Sequence, residues 1–129
     1  MMILAFENDV MDISVIAGAD MSANQYKFVK LSADNTIVLC SGTTDDMLGV
    51  LQNKPKSGEV ARVRIMGVSR ILVGASPLTY GTKVGTDANG TAVAKTADKS
   101  KYLGVVVKGA GAAAESTVLV FGVMNTISA

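Results

Sequence analysis

Residues 61–66 read Ala-Arg-Val-Arg-Ile-Met and alternate small or apolar side chains with long ones. Successive side chains of a β-strand point to opposite faces, so residues 61, 63 and 65 share one face and Arg62, Arg64 and Met66 share the other. The first face suits a hydrophobic core, and the second suits water or a charged partner. This stretch therefore predicts a β-strand that is buried on one side and carries two arginines on the other.

The pattern of strands around this segment occurs twice in the chain. Residues 27–68 align with residues 82–123 without a gap, and ten of the 42 aligned positions are identical. Ordinary residue usage gives about three identities by chance over such a length. Each copy reads strand, turn, strand, loop, a Leu-Gly-Val strand, loop and a long final strand, with hairpin-type turns at 33–35 and 88–90. The sequence therefore predicts an all-β fold, a small barrel or sandwich built from two copies of a four-strand unit.

The composition agrees with strands and argues against several kinds of chemistry. Val, Ile and Thr number 34 among the 129 residues, whereas Leu, Glu and Gln together number 14. The chain has no histidine, a single cysteine (Cys40) and a formal net charge of +1. These counts exclude imidazole catalysis, Cys/His zinc sites and intrachain disulfides, and they leave no net field to attract nucleic acid or anionic lipid. We expect a protein that is not an enzyme.

Two motifs resemble ligand sites but fit loops better. Residues 109–114, Gly-Ala-Gly-Ala-Ala-Ala, match a dinucleotide-binding pattern, yet a β-branched segment follows where that site needs a helix. Residues 41–46, Ser-Gly-Thr-Thr-Asp-Asp, offer oxygen ligands, but two adjacent carboxylates do not make a cation cage. We therefore predict no catalytic, cofactor-binding or metal site, and we interpret Cys40 as a small core residue.

The final strand of the second copy is apolar on both faces. Thr117, Leu119 and Phe121 take its outward positions, beside the core positions Val118 and Val120. Such a strand requires cover by another sheet of the same chain, by the N-terminal segment or by another subunit. The candidate residues for a subunit interface are Leu119, Phe121, Arg62, Arg64 and Arg70.

The beginning of the chain differs from the rest. Residues 1–26 carry Glu7, Asp9, Asp12 and Asp20 but no lysine or arginine, and they show no sustained alternation. Termini are often loose unless a partner holds them. We predict an extended N-terminal arm over residues 1–20 and a single β domain over residues 21–129; the alternative is a strand or short helix packed on its own domain. The apolar start is short and has no basic residues before it, so neither an export signal nor a membrane span is expected.

Several segments resemble the phage capsid-cement, or head-decoration, family. They are residues 21–31 (Met-Ser-Ala-Asn-Gln-Tyr-Lys-Phe-Val-Lys-Leu), 48–55 (Leu-Gly-Val-Leu-Gln-Asn-Lys-Pro), 58–64, 67–69 and 103–105. The resemblance covers roughly residues 20–123 and implies a structural virion protein without enzymatic activity. It also implies a β-tulip-like fold and a homotrimer similar to the lambda-type decoration trimer, bound on the outer capsid at local three-fold positions between major capsid protein subunits.

On this interpretation the partners are the major capsid protein and the chain itself, with no cofactor, nucleic acid or membrane. The protein is made in the host cytoplasm and ends on the outer capsid surface of the virion. The capsid-contact candidates in the arm are Ile3, Leu4, Phe6, Glu7, Asp9, Val10, Met11, Asp12 and Ile13. The alternative function is a small β-barrel binding module displayed on a virion surface, for carbohydrate or host-surface binding, which needs an exposed aromatic platform.

Overall fold

A computed structural model describes residues 9–128 of the chain. This part forms nine β-strands and no helix: β1 (Met11–Ala17), β2 (Phe28–Ala33), β3 (Thr36–Leu39), β4 (Gly49–Leu51), β5 (Val60–Leu72), β6 (Lys83–Thr86), β7 (Ala92–Ala94), β8 (Lys101–Lys108) and β9 (Glu115–Thr126). No helix long and apolar enough to cross a membrane occurs in it. The all-β fold predicted from the sequence is confirmed, and β2–β5 and β6–β9 follow the strand order expected for each half.

Strands β1 to β5 close into a five-stranded barrel. β2 pairs antiparallel with β3 and β4, β4 pairs antiparallel with β5, and β1 completes the ring by pairing with both β3 and β5. Alternate side chains of each strand point inward and fill such a barrel. The buried residues of this interior are Val15, Ala17, Met21, Val29, Ile37, Leu51, Ala61 and Val63.

The remaining strands extend the sheet on the far side of β5. The order continues β5-β9-β8-β6-β7, and Val73, directly after β5, forms a parallel bridge with Ala92 of β7. β5 has 13 residues, enough for its first part to pair with β1 and β4 and its second part with β9. A second buried cluster joins β2, β4 and β5 to these strands and consists of Phe28, Cys40, Met47, Val50, Ile71, Val73, Leu78, Val84, Ala92, Leu103, Val106, Val118 and Val120.

The pairing registers of the two halves correspond at the offset found in the sequence. The Phe28–Val50 pair of β2 and β4 recurs at that offset as the Lys83–Val105 pair of β6 and β8. The pairs that join β4 to β5 recur at the same offset between β8 and β9. The superposition of residues 27–68 on residues 82–123 stays a prediction, which these registers support.

The second part of β5 takes the place in the second half that β1 takes in the first. Ile16 of β1 pairs with Val60, and Leu72 of β5 pairs with Glu115. Val60 and Glu115 are equivalent positions of the two copies, and Leu72 lies within one position of the equivalent of Ile16. Each half therefore uses a strand that precedes its four-strand unit in the sequence.

This arrangement corrects the prediction for the N-terminal arm. Val15 and Ala17 of β1 are buried in the barrel, and β1 pairs with β5 through six residue pairs. The prediction that residues 1–20 lie outside the folded core is therefore wrong for Met11–Ala17, because a strand closes the barrel there. Ile3, Leu4, Phe6 and Glu7 lie outside the described residues.

Candidate interaction surface

The outward side of β5 carries every arginine of the chain. Arg62, Arg64 and Arg70 are its only arginines, and all three lie on β5 at even-numbered positions. The odd-numbered Ala61 and Val63 point inward and are buried. The sequence predicted this division between the two faces, and the structure confirms it. Arginine is enriched at protein interfaces because its planar guanidinium can pair with carboxylates and stack on rings.

An exposed group of apolar side chains lies beside these arginines. Met66 is 47% exposed and pairs with Phe121, and Leu119 is 40% exposed and lies between Val68 of β5 and Val105 of β8. We call Met66, Val68, Val105, Leu119 and Phe121 the apolar patch. Exposed apolar surface that is framed by charged residues is typical of a protein interaction site.

Strand β9 is only partly covered by other parts of the described chain. Within residues 9–128, Phe121 is half-buried against Tyr102, with ring centroids 6.0 Å apart, whereas Leu119 stays exposed. Of the three kinds of cover considered from the sequence, another sheet of the same chain therefore does not cover Leu119 within the described residues. The patch lies across three neighbouring strands, and β5 is far from β8 and β9 in the sequence, so alternation alone did not predict the extent of the patch.

A charged cluster lies next to the patch and joins β1 to β5. Arg64 donates to the two carboxylate oxygens of Asp12 at 2.8 and 3.1 Å, and Arg62 approaches Asp12 at 3.4 Å. Arg64 also donates to the carbonyl of Val68 at 2.9 Å. The hydrogen bonds from Arg64 hold the pKa of the Asp12 carboxyl below its ordinary value, more than its partial burial raises it. Asp12 and Arg64, which the sequence suggested for contacts with partners, are therefore largely engaged inside the fold.

A groove of about 380 Å³ opens on the other side of Arg64. Its lining residues, which we call the arginine groove, are Tyr26, Gln52, Arg64, Val68, Ser69, Arg70 and Thr117. Gln52 donates to the Ser69 hydroxyl at 2.9 Å, and Arg70 lies over the Tyr26 ring at 5.8 Å from its centroid. The groove thus combines a polar floor with two cationic groups, a combination that suits a carboxylate. The sequence did not predict it, because four separate segments form its walls.

An acidic segment runs along the neighbouring part of β5. Asp9 and Val10 are exposed, and Met11 at the start of β1 is exposed too. This segment packs closely on Gly67, where a Cβ atom would lie 2.7 Å from the Asp9 carbonyl oxygen. We call Asp9, Val10 and Met11 the acidic flank. Ile13, by contrast, packs against the barrel interior, so it is not available to a partner.

The loops that resembled ligand sites have other partners. Asp45 accepts hydrogen bonds from the backbone N–H groups of Ser41 and Gly42 at 2.8 and 2.9 Å and from Lys30 at 2.8 Å. These bonds hold the turn closed around its own carboxylate. Within the part of the chain described, no three His, Cys, Asp or Glu side chains group together as metal ligands would.

The glycine-rich segment 109–114 and Cys40 have the structural roles that the sequence predicted. Residues 109–114 connect β8 to β9 without a helix, so the predicted loop is confirmed. Cys40 belongs to the second buried cluster, and burial raises the pKa of its thiol to about 12. A thiol of that kind is a packing group rather than a nucleophile.

The aromatic residues do not form an exposed platform in residues 9–128. Tyr80 is 83% exposed at a loop tip, whereas Tyr26, Tyr102 and Phe121 are half-buried and Phe28 is buried. Stacking on a sugar ring needs accessible aromatic faces. The described residues therefore do not provide the aromatic platform that the alternative function needs.

The chain is similar to known phage proteins in sequence and in fold. The model of a family described as phage cement protein matches residues 7–121. Among solved structures, the N-terminal base of the head fiber gp8.5 of bacteriophage phi29 has a similar fold, with a TM-score of 0.66 at 16% sequence identity; the match covers 91% of this chain and 98% of that one. At this identity the likeness shows the fold alone. No curated protein matches the chain.

Proposed function

The chain belongs to the phage cement protein family, and on that premise we propose that it binds the outside of the mature phage head at local three-fold positions and stabilises the shell. The observation that carries this proposal is the family match, which spans residues 7–121 and so includes the whole barrel. The family and the fold shared with a head fiber base support a structural role associated with the capsid. That role requires no catalysis.

The physical basis of stabilisation is mass action. A protein that binds the assembled shell and not its dissociated subunits shifts the equilibrium towards the shell without changing any covalent bond. Several linked copies that bridge neighbouring capsomers add avidity, because the second contact forms at a high effective concentration. Each individual contact can then be weak.

The N-terminal segment is the proposed attachment to the major capsid protein. Its apolar residues Ile3, Leu4 and Phe6 would supply most of the affinity, and Glu7 would steer it towards basic surface of the capsid protein. Asp9, Val10 and Met11 are exposed and are assigned to the contact between copies instead. Asp12 and Ile13 are not part of the proposed capsid contact, because Asp12 binds Arg64 and Ile13 packs against the barrel interior.

The outward side of β5 and β9 is the proposed contact between copies of the chain. Leu119 and Phe121 belong to the apolar patch, and Arg62 and Arg70 are exposed beside it. An apolar centre with arginines around it resembles the composition of protein interfaces. We therefore propose that copies of the chain form a homotrimer through this surface.

Electron microscopy of purified shells tests the proposal directly. Shells assembled without this protein are imaged before and after its addition, and their thermal disruption is followed in parallel. We expect added density at the local three-fold positions and disruption at a higher temperature. If the shells gain no density, or gain it without any change in disruption temperature, the proposed cement function is wrong.

A pair of variants tests the contact between copies. Leu119→Asp places a charge in the apolar patch, and Leu31→Asp makes the same change at a residue that is exposed on β2, away from the patch. We expect Leu119→Asp to abolish self-association and Leu31→Asp to leave it unchanged, while both keep the β-sheet circular dichroism spectrum. Equal behaviour of the two variants would contradict the proposed interface.

A further inference from the structure

The homotrimer proposed above is the premise here, and a ring of three copies requires two different complementary surfaces on each chain, because contacts around a threefold axis are heterologous. The two edges of β5 offer such surfaces. Val63 pairs with Ile13 of β1 and with Leu51 of β4, so β1 and β4 lie on opposite edges. The acidic flank precedes β1 and packs on Gly67, whereas the arginine groove is lined by Gln52, next to β4, and by Thr117 of β9.

The fold does not require the side chains that make the groove. At the offset between the two aligned segments, its residues Gln52 and Arg64 correspond to Val107 and Leu119. The second half builds the corresponding strand pairs without a glutamine or an arginine at those positions. The strand pairing at these positions therefore does not itself require a glutamine or an arginine.

The charges around the groove leave one cation with a weak partner. Three arginines face two carboxylates there, and Asp12 serves both Arg62 and Arg64. Arg70 has Glu115 at 3.7 Å, with side chains that are 66% and 46% exposed. An exposed ion pair at that distance contributes little to stability. The Arg70 guanidinium can therefore donate hydrogen bonds to a second carboxylate.

A second copy of the chain carries the matching group. Asp9 is exposed, and within the described residues no ion pair involves it. We infer that Asp9 of one copy binds Arg70 at the arginine groove of the next copy. The guanidinium donates charge-assisted hydrogen bonds to the carboxylate. Val10 and Met11, exposed beside Asp9, bring apolar surface towards the apolar patch of that neighbour.

Charge reversal tests this contact. Asp9→Arg and Arg70→Asp are made separately and together, and self-association is measured by sedimentation equilibrium. We expect each single variant to weaken association at least tenfold and the double variant to recover most of the loss, because the pair is then restored with opposite signs. Asp34→Arg, in the exposed turn between β2 and β3, is the matched control and leaves association unchanged.

Cross-linking covers the case in which copies meet only on the shell. Asp9→Cys and Arg70→Cys variants are mixed and treated with a short bismaleimide, in solution and on shells. Native Cys40 does not compete, because it is buried and its thiol pKa is raised. We expect a cross-linked product that contains one copy of each variant and is absent when either variant is treated alone.

The outcomes separate this contact from the cement function. If the wild type associates in solution, unchanged association of the single variants overturns the Asp9–Arg70 contact. If copies meet only on shells, the absence of a mixed cross-link there overturns it. Shells that still gain density and stability in that case leave the cement function intact. Shells that gain neither density nor stability overturn the cement function, whatever the cross-linking shows about the contact between copies.

Discussion

Arg64 and Asp12 are separated by 52 residues in the sequence and joined by two hydrogen bonds of 2.8 and 3.1 Å. They face each other directly across the β1–β5 pair, where Asp12 and Arg64 are register partners. Both side chains are only 18% exposed. This largely buried ion pair links β1 to β5, the strand that pairs with both β1 and β9.

Removal of the Asp12 carboxylate destabilises the barrel. Asp12→Ala leaves Arg64 with one partner, the Val68 carbonyl, and we expect the free energy of unfolding to fall by about 1–3 kcal/mol. Urea denaturation followed by circular dichroism measures the change. Asp34→Ala, at an exposed turn position, is the control and changes the free energy by less than about 0.5 kcal/mol. Equal losses in the two variants would show that the Asp12–Arg64 pair does not hold β1 in place.

The same carboxylate gives a pH dependence with a defined sign. The pKa of Asp12 in the folded chain lies below the ordinary value of 3.8, so its contribution is fully present above that pH and is lost as the pH falls towards the folded value. We expect the stability difference between the wild type and Asp12→Asn to be constant near neutral pH and to shrink below 3.8. Other carboxylates titrate in both proteins and cancel in the difference. A gap that grows on acidification contradicts this account.

Gly67 is required where the acidic flank packs against β5. Its φ is +103°, and a Cβ atom there would lie 2.7 Å from the Asp9 carbonyl oxygen and 2.9 Å from Val10 Cγ1. We expect Gly67→Ala to cost about 1–3 kcal/mol of stability. Gly111→Ala is the matched control, since nothing lies within 4 Å of its Cβ position, and it should be neutral or stabilising by up to about 1 kcal/mol. The urea midpoints of the two variants decide between these expectations.

Two truncations separate attachment from folding. Deletion of residues 2–8 leaves β1 intact, so we expect the β-sheet spectrum and the melting temperature to persist while shell binding is lost. Deletion of residues 2–19 removes β1, and with it the buried Val15 and Ala17, so we expect that variant not to fold. Retained shell binding by the shorter deletion would contradict the attachment role, and a cooperative melt of the longer one would contradict the role of β1.

The turns show that local residue preferences were enough to predict part of the fold. The hairpin predicted near Asn35 lies between β2 and β3, and Asn35 takes a positive φ of 52° there. The corresponding turn between β6 and β7 places Gly90 at a φ of 77°. Asp87 holds that turn by accepting hydrogen bonds from the backbone N–H groups of Asn89 and Thr91. Such residues favour turns through their own backbone and side-chain geometry, which a sequence displays directly.

The N-terminal strand shows where local chemistry misleads. Residues 1–26 contain no base to balance their acids, which suggested an arm. The balancing base is Arg64, and it becomes a neighbour of Asp12 only when β1 pairs with β5. Ile13, Val15 and Ala17 do alternate inward, but three positions are too few to distinguish a strand from an irregular segment.

By itself the sequence determined the strands β2–β9, their inward and outward faces and the absence of imidazole chemistry. Alternation, turn residues and composition act over a few neighbouring positions, so a sequence displays them directly. Only the tertiary structure decided that β1 closes the barrel, that β5 serves both halves, and that Tyr26, Gln52, Arg70 and Thr117 meet in one groove. Those relationships depend on contacts between residues that are tens of positions apart. Many contributions to the free energy of folding, from side-chain burial and from strand pairing, act together to select them.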